Sequence, residues 1–326
     1  MSVPYSRLFL GLIPWYGILI VLGAALAIVL AEREAKRQSL PEDTILDLAI
    51  YVLPAGIIGA RIYYVLFSWD SFRVNPLSIF YIWEGGLAIY GGLIAGFVTI
   101  AVFCRIRKLS LFLILDLLVP GVALAQAIGR WGNYFNQEAY GIPLDAASPF
   151  AFFPLAVQIP SSDGLQWHAA TFFLESCWNL LVFLFLMIGR RKLFRKQGDV
   201  FIWYLLLYGA GRLIIENFRM DSLYLGPSIR VSQLLSECIC LFILLVFFIR
   251  RIKEGATMTL PAVLLFAVSL FSGTAVLLFC FGLSIFSDFN ARDQFFMLSC
   301  HSLIILWACC YLYGRSKNRE VVYANQ

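Results

Sequence analysis

The chain has 326 residues, of which 61% are hydrophobic and only 14% charged, with a mean hydropathy of +0.82. Those proportions exclude an ordinary soluble domain and indicate an all-α polytopic membrane protein, since each spanning helix needs about 20 apolar residues. The net charge is +5, and the chain holds only two histidines and eight cysteines, with no C-x-x-C pair. No metal site, disulfide framework, cofactor or nucleic-acid partner is therefore expected. The cysteines mostly sit inside apolar runs, as Cys104, Cys177, Cys280 and Cys300 do, and are read as small apolar packers.

Taken in chain order, the apolar runs predict nine helices near 9–31, 44–67, 79–104, 109–129, 167–189, 199–217, 231–249, 257–287 and 294–314. Arg7 is the only basic residue before the first run, and no small-residue cleavage pattern follows, so that run is expected to be retained. Short charged loops separate the helices. The longest stretch outside them is 130–166, with Pro143, Pro149, Pro154 and Pro160. It is expected to form a small extracytoplasmic head with short strands, held at the membrane by its aromatics.

Orientation follows from the loop cations. Arg33, Lys36, Arg37, Arg105, Arg107, Lys108, Arg190, Arg191, Lys192, Arg195, Lys196, Arg250, Arg251, Lys253, Arg315, Lys317 and Arg319 fall on one side. Only Arg7, Arg73, Arg130, Arg219, Arg230 and Arg292 fall on the other, with Arg61 and Arg212 inside helices. The positive-inside rule places the N-terminus outside and the C-terminus in the cytoplasm.

The helix ends carrying unusual residues all fall on the poorer side. The densest cluster is Gly129-Arg130-Trp131-Gly132-Asn133-Tyr134-Phe135-Asn136-Gln137-Glu138-Ala139-Tyr140-Gly141. It follows some twenty almost wholly apolar residues (109–128). A charge placed in a membrane costs about 2.5–3.5 kcal/mol at the bilayer centre, so such clusters mark ligand sites. A cation, amides, a carboxylate and glycines together suit an anion at a lipid interface. Tyr16, Arg61, Glu175, Arg212, Glu216, Arg230 and Gln233 converge on the same end. Asp116, inside the fourth helix, and Arg61 are candidates for an internal pair.

The cluster at 129–141 resembles the signature of the prolipoprotein diacylglyceryl transferase family, G-R-x-G-N-[FY]-x-N-x-E-x-x-G, throughout. Supporting pieces are Trp15-Tyr16-Gly17, Gly59-Ala60-Arg61-Ile62-Tyr63-Tyr64, Trp83-Glu84-Gly85-Gly86 and Glu175-Ser176 with Trp178-Asn179. Tyr208-Gly209-Ala210-Gly211-Arg212 with Glu216, Arg219-Met220-Asp221-Ser222-Leu223 and Arg230-Val231-Ser232-Gln233 complete the order. The resemblance spans roughly 11–250. It implies a seven-helix transferase core (1–254) with two extra C-terminal transmembrane helices (255–326). Two departures stand out. Tyr90 occupies a position where the family often has histidine, and Trp167-His168-Ala169-Ala170 occupies the region of its His-Pro pair.

By resemblance, the protein is a multi-pass enzyme of the bacterial plasma membrane, active toward the outer leaflet. Its donor is phosphatidylglycerol, its acceptor the lipobox cysteine of a prolipoprotein signal peptide, and it touches membrane lipids throughout. The thiol displaces glycerol phosphate and a thioether forms. Arginine suits the departing phosphate because its planar guanidinium grips oxygens bidentately and stays charged. Arg130 and Arg212 are assigned that role, with Asn133 and Asn136 as neutral donors and Glu138 and Glu216 orienting the arginines. Tyr16, Arg61 and Gly141 are placed in substrate binding, and Arg230 and Gln233 at the mouth that admits the signal peptide.

The proton acceptor stays open. With a phenol pKa near 10, only about one Tyr90 in a thousand is phenolate at pH 7. Tyr90 is therefore read as a hydrogen-bond donor to the lipid, and His168 as an alternative base or a structural residue. Two other functions compete: a transporter, which should show repeats or midplane charges, and a catalytically silent relative that binds lipid or signal peptide.

Overall fold

The computed structural model describes residues 6–161, 164–225, 229–253, 260–280 and 291–314. A tight antiparallel pair, β1 (Leu8–Phe9) and β2 (Ile13–Pro14), leads into α1 (Trp15–Arg37). Then come α2 (Thr44–Phe67) and the single turn α3 (Trp69–Phe72), followed by 3-10 turns at Pro76–Phe80 and Ile82–Glu84. Next are α4 (Ile89–Arg107) and α5 (Leu111–Asn136). The head holds β3 (Pro143–Leu144), β4 (Ala156–Ser161) and β5 (Gly164–Ala169), an antiparallel sheet in the order β3-β5-β4. After it come α6 (Thr171–Lys192) and α7 (Asp199–Ile215), then a 3-10 turn at Glu216–Phe218. The hairpin β6 (Tyr224–Leu225) and β7 (Ile229–Arg230) precedes α8 (Val231–Lys253), α9 (Leu260–Cys280) and α10 (Ala291–Gly314).

Among the described residues, eight helices are long and apolar enough to cross a membrane. The protein is a multi-pass membrane protein. The ninth long helix, α7, has 17 residues, the lower limit for a span, and is enclosed by its neighbours.

Among the described residues, packing gathers the buried apolar side chains into three clusters, one of which (Tyr134, Ala139, Val157, Ala170 and Phe172) seats the head on α5 and α6. Ala31, Ala35, Ile45, Leu48, Phe103 and Ile114 join α1, α2, α4 and α5 toward the end rich in cations. Leu186, Trp203, Leu206, Leu244, Leu298 and Ile305 are among those joining α6, α7, α8 and α10. The cation-rich end is also tied by ion pairs, Arg107 to Asp47 at 2.6 Å and Arg250 to Asp199 at 2.7 Å.

Three expectations change. The helix predicted at 109–129 continues to Asn136, so Arg130, Asn133 and Asn136 ride its last two turns, and the head begins at Gln137. Hydropathy falls where one face of a helix turns polar, even though the backbone bonds continue. The helix predicted from 79 starts at Ile89, because Gly85 and Gly86 take φ of 93° and 71°, values that end helical winding. Finally, Arg61 and Asp116 do not pair. Asp116 accepts from the amides of Gly198 at 2.6 Å and Phe201 at 2.8 Å, satisfying the exposed donors at the start of α7. The predicted run 257–287 is seen as α9 up to Cys280, and the rest of it lies outside the described residues.

Candidate functional site

The spacing of Arg130, Asn133 and Asn136, three residues apart along α5, puts them on one helix face. Facing them is Glu175, near the start of α6 and only 3% exposed. Arg130 Nε meets Glu175 Oε2 at 2.5 Å, and Arg212 Nη1 donates to Oε1 of the same carboxylate. Arg212 Nη2 reaches Glu216 Oε2 at 2.5 Å, one helical turn on. A buried charge is tolerable only when paired, and these four groups balance two cations against two carboxylates.

The two arginines are not equivalent. Arg212 spends both terminal nitrogens on carboxylates, and its side chain is 11% exposed. Arg130, 21% exposed, spends only Nε. Among the described residues no group takes its two Nη atoms. That leaves a guanidinium fork free to hold two oxygens of one anion. Beside Arg212 lies a small cavity lined by Glu175, Trp178, Asn179, Tyr208, Gly211 and Ile215.

Other predicted site residues take the following places. Tyr16, at the start of α1, lies within electrostatic reach of Arg130 and Glu138. Its ring fills the space above Gly132, where a Cβ would come within 2.4 Å of Cδ2. That contact explains a glycine one turn from Asn136. Tyr90, at the start of α4, lies within electrostatic reach of Arg212, Tyr208 and Glu216.

Among the described residues Glu138 makes no ion pair with Arg130 or Arg212. It accepts from Asn133 Nδ2 at 2.8 Å and Asn136 Nδ2 at 3.2 Å, so those amides are occupied by it. Glu175 takes the pairing role that was expected of Glu138. Its signal in the sequence was a carboxylate inside an apolar helix, which is costly unless paired.

Arg61 stands apart from the pair. It donates to the carbonyls of Ser78 at 2.6 Å, Ile79 at 2.8 Å, Gly85 at 2.8 Å and Gly86 at 3.0 Å. It therefore folds the segment between α3 and α4 and has its nitrogens spent there. Arg230 donates to the Glu216 carbonyl. Gln233 is buried and donates to Asn217 Oδ1 at 3.1 Å, which ties it to the end of α7. His168 is buried, with Nδ1 2.9 Å from the Gly141 carbonyl. Gly141 in turn has no room for a Cβ, which would lie 2.7 Å from the Phe218 carbonyl.

The segment after α7 is stitched to the end of the cluster. Ile142 N donates to Phe218 O at 2.9 Å, and Ala139 N to Asp221 Oδ2 at 3.1 Å. Burial alone would raise the Asp221 carboxyl, but the Arg219 hydrogen bond and charge, with the Ala139 amide, outweigh it and hold it below the ordinary range. A depressed folded pKa stabilises fully above the unfolded value and is lost as pH falls through the folded one. Protection of the Ala139 amide against hydrogen exchange, relative to its intrinsic rate, should therefore hold from neutral pH to about 4 and fall only below that. Asp221→Ala should lose that protection across the whole range. Slow exchange in that variant would show that Asp221 does not hold the segment.

Residues 8–250 match the family described as prolipoprotein diacylglyceryl transferase. The chain belongs to that family. Proteins named phosphatidylglycerol–prolipoprotein diacylglyceryl transferase are among its relatives. One from Enterococcus faecalis is 46% identical over 248 residues, covering 75% of this chain and 89% of its own. One from Streptococcus suis is 45% identical over 245 residues, covering 74% and 90%. One from Halalkalibacterium halodurans is 40% identical over 268 residues, covering 79% and 90%. Helices α9 and α10 lie beyond the matched segment of the family.

Proposed function

We propose that this protein transfers the diacylglyceryl group of phosphatidylglycerol to the lipobox cysteine of prolipoproteins, with residues 1–254 as the working core and 255–326 as an added helix pair. The observation that carries the reading is the Arg130–Glu175–Arg212 arrangement with the open Arg130 fork.

The cysteine sulfur attacks the diacylglycerol carbon that bears the phosphate oxygen. The new C–S bond forms as the C–O bond breaks, and its electron pair leaves on the oxygen. A phosphodiester with one negative charge becomes glycerol phosphate with nearly two, and the thiol proton passes to solvent. A fixed cation therefore interacts more strongly with the transition state than with the bound lipid. Arg130 grips the phosphate through its Nη groups. Arg212 adds charge from behind, held in place by Glu175 and Glu216. Tyr90 and Tyr16 supply hydroxyls at the rim for the lipid's ester or phosphate oxygens.

The site faces the outer leaflet, with the N-terminus outside and the cation-rich end and C-terminus in the cytoplasm of a bacterial plasma membrane. The distribution of loop cations supports this orientation. A C-terminal reporter fusion that fluoresces only in the cytoplasm checks it.

Transfer itself is tested with purified protein, vesicles of phosphatidylglycerol and a peptide carrying a lipobox cysteine. The peptide should gain one diacylglyceryl mass. A well-folded protein that leaves it unmodified would instead favour a lipid- or peptide-binding relative without catalysis. In the same assay Tyr90→Phe should slow turnover about tenfold, the loss of one uncharged hydrogen bond in the transition state. Unchanged turnover would make Tyr90 a packing residue.

A further inference from the structure

Outside the arginine pair, the most enclosed charged group among the described residues is Glu237 of α8, 0% exposed. His301 of α10, 2% exposed, places Nε2 3.0 Å from Glu237 Oε2. Its other nitrogen, Nδ1, lies 2.8 Å from Ser272 Oγ on α9. Ser272 Oγ also donates to the Ser269 carbonyl at 3.1 Å. Ser272 thus holds one ring nitrogen of His301 while the other faces the enclosed Glu237 carboxylate, so α8, α9 and α10 meet at three polar side chains. Gly273 completes the arrangement: a Cβ there would lie 2.7 Å from Glu237 Oε1, so α9 offers bare backbone to make room for the carboxylate.

Glu237 lies inside the family-matched segment, whereas Ser272, Gly273 and His301 lie beyond it. A carboxylate of the core is thus met by a polar side chain of the added helices. The same α8 face carries Cys240, whose sulfur would lie 2.9 Å from a Cβ on Gly209. Gly209 precedes Arg212 by less than one turn of α7. At the other end of α7, Tyr313 of α10 donates to Asp199 Oδ2 at 2.7 Å and stacks edge-on against Trp203. Helix α7 is therefore held by α10 directly at its start, and through α8 close to Arg212.

We propose that Glu237 and His301 are positioning residues: they lock α9 and α10 onto α8, and the locked pair fixes α7 and the Arg212 guanidinium beside Glu175. The role of Arg212 in this statement rests on the transferase reading above. The lock itself does not. Enclosure of both Glu237 and His301 keeps them from touching substrate, so their effect reaches the reaction only through helix placement. Breaking a buried pair from one side strands a charge, while replacing both partners with apolar residues is often tolerated.

The test uses the full-length protein in phosphatidylglycerol-containing detergent micelles, with unfolding midpoints and transfer kinetics measured on the same samples. His301→Leu should lower the midpoint by several degrees. It should also lower kcat about tenfold, with the KM for phosphatidylglycerol unchanged within about twofold. Adding Glu237→Leu to it should restore both midpoint and kcat. Where His301→Leu does not accumulate at all, accumulation of Glu237→Leu/His301→Leu near wild-type levels supports the lock, and failure of both overturns it. An unshifted midpoint in His301→Leu, or no recovery in the double variant, overturns the lock. A shifted and recovered midpoint with unchanged kcat overturns the coupling to Arg212. Wild-type protein without transfer activity would sink the transferase reading and with it the coupling, while the midpoints would still decide the lock.

Discussion

Arg130→Ala should lower the rate of diacylglyceryl transfer about 10²- to 10³-fold, the range for removing a preorganised group that stabilises developing charge. Arg130 has most of its donors unspent, so its loss should remove the proposed grip on the phosphate. Its single ion pair, to Glu175, is shared with Arg212, so the carboxylate keeps a partner. Folding should consequently suffer far less than catalysis. Arg130→Lys should recover only part of the rate, since an ammonium restores charge without the two-point grip. Radiolabelled lipid transfer at saturating peptide reads both variants. A rate within about threefold of wild type for Arg130→Ala would exclude it from the phosphate contact.

Glu175→Ala should damage both stability and activity. The change leaves two guanidiniums facing each other, with Glu216 to balance only one of them. Removing one side of a buried ion pair costs about 3–5 kcal/mol, and two cations are stranded here. Glu175→Gln keeps the shape and one acceptor oxygen and should fold better, yet it should still lose most activity because Arg130 and Arg212 then repel. The unfolding midpoint in detergent and the transfer rate distinguish the two variants. If Glu175→Ala kept a wild-type midpoint, the charges would not be buried against one another in the membrane.

Much of this was legible from the residues in order. Apolar runs located the helices, because only a helix satisfies its own backbone in lipid. The polar cluster at 129–141 stood out because buried charge needs a reason. What stayed hidden depended on partners distant in sequence. Glu175 was visible as a costly carboxylate, but nothing in its own segment named Arg130 and Arg212 as the groups it joins. Glu138, much closer to Arg130 in sequence, turned instead to Asn133 and Asn136. Arg61 looked like a ligand group because arginine inside a helix is costly. Carbonyls of the neighbouring segment satisfy it, and turns of that kind leave no mark in hydropathy. Likewise, α5 ran on past its apolar stretch because backbone hydrogen bonding does not stop where one face becomes polar. The pairing of Glu237 with His301 was beyond reach for the same reason as Glu175: each is an isolated polar residue in an apolar run.

In the proposed reaction Arg130 grips the phosphate and Arg212, joined to it through Glu175, adds charge from behind. A double-mutant cycle on transfer rate measures this most directly, with Arg130→Ala, Arg212→Ala and the two combined. Groups acting as a unit give strongly non-additive losses, so the double variant should fall little below the worse single variant, with a coupling of about 2–3 kcal/mol. Losses that simply multiply would mean that the two arginines serve separate tasks and that Arg212 does not support the Arg130 grip through Glu175.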